Sequence, residues 1–325
     1  MTEEPGPSND SILKYKDLRL VGLFEKEIKW SKRGLVIEPK PNLWWMRSHA
    51  MIPTPEALGG GLVKVYFSGR NDDNQSHIGW AIVDLEAPQK VIEFSDEPVL
   101  TPGALGCFDD NGVTPSCVVQ EGDETRLYFI GWNPGSTVRM HLYGGLAISK
   151  DRGETFERWS RAPIIERCPS DPFLNTAPWV VKAQNEWRMY YVSGVEWVHK
   201  DLPRYNIKLA RSQDGKNWDR DGYVCIDFAG PMENALARPY VLYDNQVWKM
   251  WFAFKGTAYR LGYAESEDGV NWQRRDDLVG IAPTAGTWDS DMIEYAAVIE
   301  HKGQHFMFYN GNNYGQGGIG LAVEE

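Results

Sequence analysis

Carboxylates, guanidinium groups, amides and tryptophans recur in this sequence at the borders of short apolar and aromatic runs. Asp110, Glu233 and Asp291 each stand just ahead of an apolar run. Cleaving or transferring a glycosyl group needs two carboxyl groups, one on either side of the bond, one protonated and one ionised. These three residues are therefore the candidate acid/base set. Arg70, Arg238 and Arg260, with His49, could hold an anionic group, because a guanidinium fork matches phosphate and carboxylate oxygens. Trp132 and Trp197 could stack on a sugar face, while Asn175, Tyr259 and Glu294 could bind its hydroxyls. Each has a plainer reading. Asp109-Asp110-Asn111-Gly112 is also a turn sequence, Glu233 could pair with Arg238, His49 could be a packing histidine, and the arginines could balance the acids. No His/Cys cluster has zinc spacing, so no metal site is expected, and no cofactor is expected either.

The elements that must position these residues are visible as an internal repeat. An aromatic run ending near Gly appears as Val65-Tyr66-Phe67-Ser68-Gly69 and returns as Leu127-Tyr128-Phe129-Ile130-Gly131. It returns again as Met189-Tyr190-Tyr191-Val192-Ser193-Gly194, Met250-Trp251-Phe252-Ala253 and Phe306-Met307-Phe308-Tyr309-Asn310-Gly311. A short apolar strand precedes each run. In four copies it contains a proline, Pro53, Pro115, Pro178 or Pro239, spaced 62, 63 and 61 residues apart. A third strand follows, as in Ile78-Gly79-Trp80-Ala81 and Leu261-Gly262-Tyr263-Ala264. After it come turns such as Asp214-Gly215 and Asp268-Gly269, where Gly accepts a positive φ and Asp bonds the turn backbone.

The pattern predicts an all-β chain: a five-bladed β-propeller, four antiparallel strands per blade, with very little helix. The fifth copy stops after its third strand, and Trp30–Ile37 reads like a fourth strand, so the N-terminal strand is expected to close the ring. Strand one of each blade would line the centre. The approach to strand one and the loop between strands two and three would share one face. The Asp-Gly turns would lie on the other face and be structural.

Composition narrows the function. The 325 residues are 42% hydrophobic and 24% charged, a folded globular balance, and residues 1–325 are read as one domain with 1–18 as a peripheral segment. A net charge of −11 disfavours nucleic acid, which needs a basic face. No apolar run approaches the roughly 18 residues of a membrane span. Met1–Asp10 is polar and broken by Pro5, Gly6 and Pro7, unlike a secretory signal. Cys107, Cys117, Cys168 and Cys225 show no paired motif and read as reduced thiols of a cytoplasmic protein.

Five such blades resemble the five-bladed propeller glycoside hydrolases: the arabinanase/xylosidase, invertase/levansucrase and mannoside-phosphorylase families. The resemblance runs from about Trp30 onward. It rests on the blade pattern, on Ser212-x-Asp214-Gly215-x-x-Trp218 and Ser266-x-Asp268-Gly269-x-x-Trp272, and on Glu233 ahead of Arg238-Pro239. It implies a funnel with acids from different blades. The first two families place an Asp at the start of the first blade, where this chain has Arg47-Ser48-His49. The supply of basic residues is closer to the phosphorylase group, where such residues hold phosphate. The expectation is a glycosidase- or phosphorylase-like enzyme acting on a carbohydrate, with phosphate or another anion as partner. Two alternatives stand beside it: an intracellular sugar-assembly enzyme using a nucleotide- or phosphate-linked sugar, and a non-catalytic sugar-binding propeller.

Overall fold

Short aromatic and β-branched runs cut by glycine turns leave no stretch long enough for a stable helix, and the described chain is nearly all β. The computed structural model describes residues 28–88, 90–183 and 185–325. The expected peripheral segment 1–18 lies outside the described residues.

Strand β1 (Trp30–Ile37) comes first. The next group is β2 (Ser48–Gly59), β3 (Leu62–Arg70), β4 (Ser76–Asp84) and β5 (Val91–Phe94). Then come β6 (Gly112–Glu121), β7 (Glu124–Pro134), β8 (Met140–Ser149) and β9 (Glu157–Arg158). They are followed by β10 (Asn175–Ala183), β11 (Glu186–His199), β12 (Leu202–Ser212) and β13 (Val224–Ile226). The fourth group is β14 (Ala235–Asp244), β15 (Val247–Lys255), β16 (Tyr259–Ser266) and β17 (Gln273–Arg274). The last strands are β18 (Glu294–His301), β19 (Gln304–Asn310) and β20 (Ile319–Glu324). Within each group consecutive strands pair antiparallel. β1 pairs with β20, Trp30 opposite Glu324 and Ile37 opposite Ile319.

The repeat predicts separate four-stranded sheets. Only one is separate, with the order β1-β20-β19-β18. Single parallel pairs, Ser76 with Gly112, Tyr143 with Asn175 and Tyr205 with Ala235, merge the other groups into one 16-stranded sheet. Among the described residues no hydrogen-bonded sheet closes on itself. The first strands nevertheless pack in cyclic order: β2 on β6, β6 on β10, β10 on β14, β14 on β18, and β18 on β2.

The second strand of each group is buried on both faces, which is why it reads as an unbroken aromatic run rather than an alternating one. Tyr66 and Phe67, Tyr128 and Phe129, Tyr190 and Tyr191, and Trp251 and Phe252 are each almost fully buried. Neighbouring groups are then stapled through the Asp-Gly turns. Tyr128 donates to the Gly215 carbonyl at 2.8 Å and Arg126 to the Asp214 carbonyl at 2.7 Å. One group further on, Tyr190 donates to Gly269 at 2.7 Å and Arg188 to Asp268 at 2.5 Å. Gly215 has φ 71°, and a Cβ there would meet the Arg126 side chain at 2.8 Å, so the turn needs glycine. Multiple backbone and side-chain donors hold the Asp214 and Asp268 carboxyls well below the usual carboxylate range, despite the opposing effect of burial.

The first strands share a bulge. Ile52, Ala177, Arg238 and Tyr295 have left-handed φ of 54°, 49°, 45° and 58°. The antiparallel register slips at each of these places. Pro53, Pro178 and Pro239 follow the first three, where a broken ladder tolerates a missing N–H. Such conformations cost ~1–3 kcal/mol each and persist only where packing fixes them. Arg238 supplies part of that packing. Its guanidinium is buried and donates to the Ala296 carbonyl of β18 at 2.7 Å and the Pro53 carbonyl of β2 at 2.6 Å. It also reaches Thr54 Oγ1 at 3.1 Å and the Ser116 carbonyl of β6 at 3.4 Å.

Candidate functional site

A pocket of about 400 Å³ opens where these bulged strands begin, and every group of strands contributes to its wall. Met51 and Ile52 come from β2, Arg70 from the end of β3, and Thr114 from β6. Trp132 and Leu142 come from the β7–β8 hairpin, and Asp201 and Tyr205 from the β11–β12 hairpin. Lys255 and Tyr259 flank the β15–β16 turn, Tyr295 follows the first residue of β18, and Tyr314 projects from a left-handed turn after β19. Hairpin tips are free of the ladder's register, so they can carry long polar side chains inward over a rigid floor.

Three cations face this space. Arg70 is half-buried, its Nη1 bonded only to Asn74 at 2.9 Å and its Nε without a partner. Burial pushes its pKa down. Lys255 Nζ reaches the Tyr314 hydroxyl at 3.2 Å and lies over the Tyr259 and Tyr314 rings at 5.3 and 5.8 Å. Arg139 completes the set. Among the described residues none of the three forms a salt bridge.

A cluster of tyrosines forms one wall. The Tyr205 and Tyr259 hydroxyls share a hydrogen bond of 2.7 Å, and the Tyr259 ring sits 6.2 Å from that of Tyr295. Burial raises the Tyr205 hydroxyl to about 12, against the opposing bond from Tyr259. Behind them lies Glu294. It is fully buried, and neither carboxyl oxygen has a partner at hydrogen-bonding geometry. Burial pushes its pKa well above the carboxylate range, although the Tyr295 hydroxyl and the Lys255 charge pull the other way.

Of the residues singled out in the sequence, Arg70, Trp132 and Tyr259 line the pocket. Glu294 lies beneath it, next in sequence to Tyr295. Trp197 packs with Leu142, Tyr205 and Tyr295 against the apolar cluster that includes Met51 and Ile52. His49 is half-buried with Nδ1 2.9 Å from Ser48 Oγ, and burial with the nearby Arg70 charge lowers it to about 4. Asn175 is buried, its amide donating to the Glu166 carbonyl at 2.9 Å and the Asp171 carbonyl at 3.2 Å. Arg260 spans the Tyr259 and Asp291 carbonyls, each at 2.8 Å. Arg238 does not line the pocket. Its left-handed backbone turns the guanidinium into the centre, where carbonyl oxygens saturate much of it.

The three expected acids are not brought together at the pocket wall. Asp110 Oδ2 accepts the Gly106 N–H at 2.8 Å, a turn bond. Asp291 is exposed, with its backbone N–H held by Asn312 at 2.8 Å. Glu233 is paired with Arg274 through two bonds of 2.9 and 3.0 Å, and not with Arg238. That pairing belongs to a series. Asp109 meets Arg158 at 2.7 Å, Asp171 meets Lys208 at 2.8 Å, and Asp289 meets Lys32 at 2.5 Å. In each case an acid ahead of a first strand clamps a base within its own group. Glu233→Gln is therefore expected to cost about 1.5–3 kcal/mol, the value of a hydrogen bond to a charged group, with the fold otherwise intact. A urea midpoint unchanged from wild type would remove the clamp role.

Sequence reasoning passed over Tyr205 and Asp201. An aromatic near the start of a strand reads as core, and a hairpin acid reads as surface. The signal that could have found Tyr205 is its place in a hairpin equivalent to the one carrying Lys255 and Tyr259.

No family model matches the sequence. Rv1502, an uncharacterized protein of Mycobacterium tuberculosis (strain ATCC 25618 / H37Rv), is 43% identical over 298 residues, covering 91% of this chain and 99% of its own. The chain belongs to the Rv1502 family. Beyond that family, a beta-1,2-mannobiose phosphorylase of Thermoanaerobacter sp. (strain X514) is 23% identical over 250 residues, 71% of this chain and 76% of its own. Among solved structures, a glycoside hydrolase matches with a TM-score of 0.70 at 19% identity, covering 98% of this chain and 96% of that one. This member of the Rv1502 family thus has the fold of the glycoside hydrolases to which the sequence resemblance pointed.

Proposed function

We propose that this protein is a carbohydrate-active enzyme that cleaves or transfers a glycosyl group, and that its substrate or co-substrate carries an anionic group, phosphate among the candidates. The scaffold is proposed to be one five-bladed β-propeller domain sealed by β1. The cyclic packing of the first strands and the β1–β20 pairing support that reading. One observation carries the functional part: Arg70, Arg139 and Lys255 converge on an aromatic-walled pocket, and among the described residues none of them forms a salt bridge, in a chain whose net charge is −11. Unpaired guanidinium and ammonium groups in a partly dry pocket favour an anion, and aromatic walls suit the apolar face of a sugar ring. Asp110 and Asp291 are proposed as acids of the surrounding loops. Glu233, tied by Arg274, is proposed to hold the loop that carries Asn234 into the pocket.

The test is turnover and thermal shift across simple glycosides and nucleotide sugars, with and without inorganic phosphate. Lys255→Met and Arg139→Met are each expected to weaken the anionic partner about tenfold to a hundredfold, the ~1.5–3 kcal/mol of a charged hydrogen bond. Wild-type affinity in both variants, or indifference of the wild type to every anion, would remove the anion site.

A further inference from the structure

We propose that Glu294 is the proton store of this site, and that the Tyr205–Tyr259 hydroxyl pair, together with Tyr295, carries its proton to the leaving oxygen of the substrate. The inference rests on the glycosyl-transfer reading above and gives it a specific acid.

Four observations converge. Glu294 is fully buried and neither carboxyl oxygen accepts a bond at good geometry, while the donors that approach it are the neutral Tyr295 hydroxyl and Tyr314 backbone N–H, so the group is fitted for a proton and not for a counter-ion. The backbone at Tyr295 is left-handed, φ 58°, and the strand register slips after Glu294. A bulge of this kind re-aims side chains next to functional sites. Tyr205, Tyr259 and Tyr295 all reach the pocket wall, whereas Glu294 does not, so these hydroxyls offer a proton a route from Glu294 to the pocket. All three hydroxyls lie within electrostatic reach of the Glu294 carboxyl, and Tyr205 and Tyr259 are already bonded at 2.7 Å. The cation near Glu294 is Lys255, and Tyr314 turns a backbone N–H toward it.

The step balances simply. The glycosidic C–O bond breaks with its electron pair moving to the leaving oxygen. That oxygen takes a hydroxyl proton from the tyrosine facing it. The tyrosine is refilled from its neighbour, and the last of them from the Glu294 carboxyl, which becomes a carboxylate. The nucleophile, water or inorganic phosphate, bonds to the anomeric carbon and sheds its proton to solvent. Once the leaving group has departed, the chain run in reverse takes a proton from solvent back to Glu294. A hydroxyl is both donor and acceptor, so each link needs only a rotation of an O–H.

Leaving-group dependence tests the relay. A 2,4-dinitrophenolate departs without protonation, whereas an alkoxide does not. Tyr205→Phe and Tyr259→Phe are expected to lower kcat about a hundredfold more on methyl glycosides than on 2,4-dinitrophenyl glycosides of the same sugar, the usual range for general acid catalysis. Equal losses on both substrates would overturn the relay. A second arm needs no turnover. Infrared spectra at neutral pH should show the C=O stretch of a protonated carboxylic acid, absent in Glu294→Gln and shifted in Tyr259→Phe. Wild-type protein lacking that band overturns the relay whatever the activity. A wild type that turns over no glycoside but shows the band counts against the glycosyl-transfer reading and leaves the proton store standing.

Discussion

Replacing Arg238 by methionine is expected to destabilise the protein by about 3 kcal/mol or more, read as a fall in the urea midpoint with an unchanged slope. The guanidinium is buried at the meeting point of β2, β6, β14 and β18. Its removal strands the Pro53 and Ala296 carbonyls in a space water does not reach, and each orphaned acceptor costs ~1–3 kcal/mol. Relief of the cation's own desolvation offsets part of this. Burial already lowers the Arg238 pKa to about 10, so the group remains charged at neutral pH. Arg238→Lys keeps the charge but lacks the fork that spans several strands, and should recover only a fraction of the loss. A methionine variant within ~1 kcal/mol of wild type would show that the carbonyls find other partners.

The second large effect falls on Glu294. Glu294→Gln keeps the shape of the side chain and removes its exchangeable acid proton. Turnover on substrates with poor leaving groups is expected to fall by about 10²–10⁴-fold, the range of general acid catalysis. The same substitution alters stability in a defined direction. Burial raises the carboxyl's pKa in the folded state, while the unfolded chain titrates at about 4.3. The folded form therefore holds a proton that the unfolded form releases. That stabilisation is complete below the unfolded pKa and is lost as pH rises through the folded one, by up to ~1.4 kcal/mol per pH unit. The variant has no such loss, so its urea midpoint should gain on the wild type from about pH 4 upward. Parallel profiles would mean that Glu294 titrates normally.

The strands were legible because doubly buried strands must be aromatic and apolar without a break, and because Asp-Gly turns have one use. Tyr66-Phe67 and Tyr128-Phe129 mark their elements without ambiguity. The site was legible only where residue type and position agree, as at Arg70, Trp132 and Tyr259. Arg238 misled because residue type says anion, while a left-handed φ, invisible in the sequence, sends the side chain to the centre. Glu233 misled for a different reason. Its register with Asp109 and Asp171 is present in the sequence, but the clamp shows only when Arg274, Arg158 and Lys208 come back across the sheet. The cations around the pocket come from distant hairpins whose tips no periodicity constrains.

The pairing of β1 with β20 has a mechanical side. Trp30 and Glu324 face one another at one end of the strand pair, so tension applied at these two points loads the rungs one after another and not together. Rungs strained in succession yield at low force, like a zip drawn from its tab. The β1–β20 pair is therefore expected to open first, with breathing, nicking by proteases and mechanical rupture beginning there while the aromatic interior is still intact.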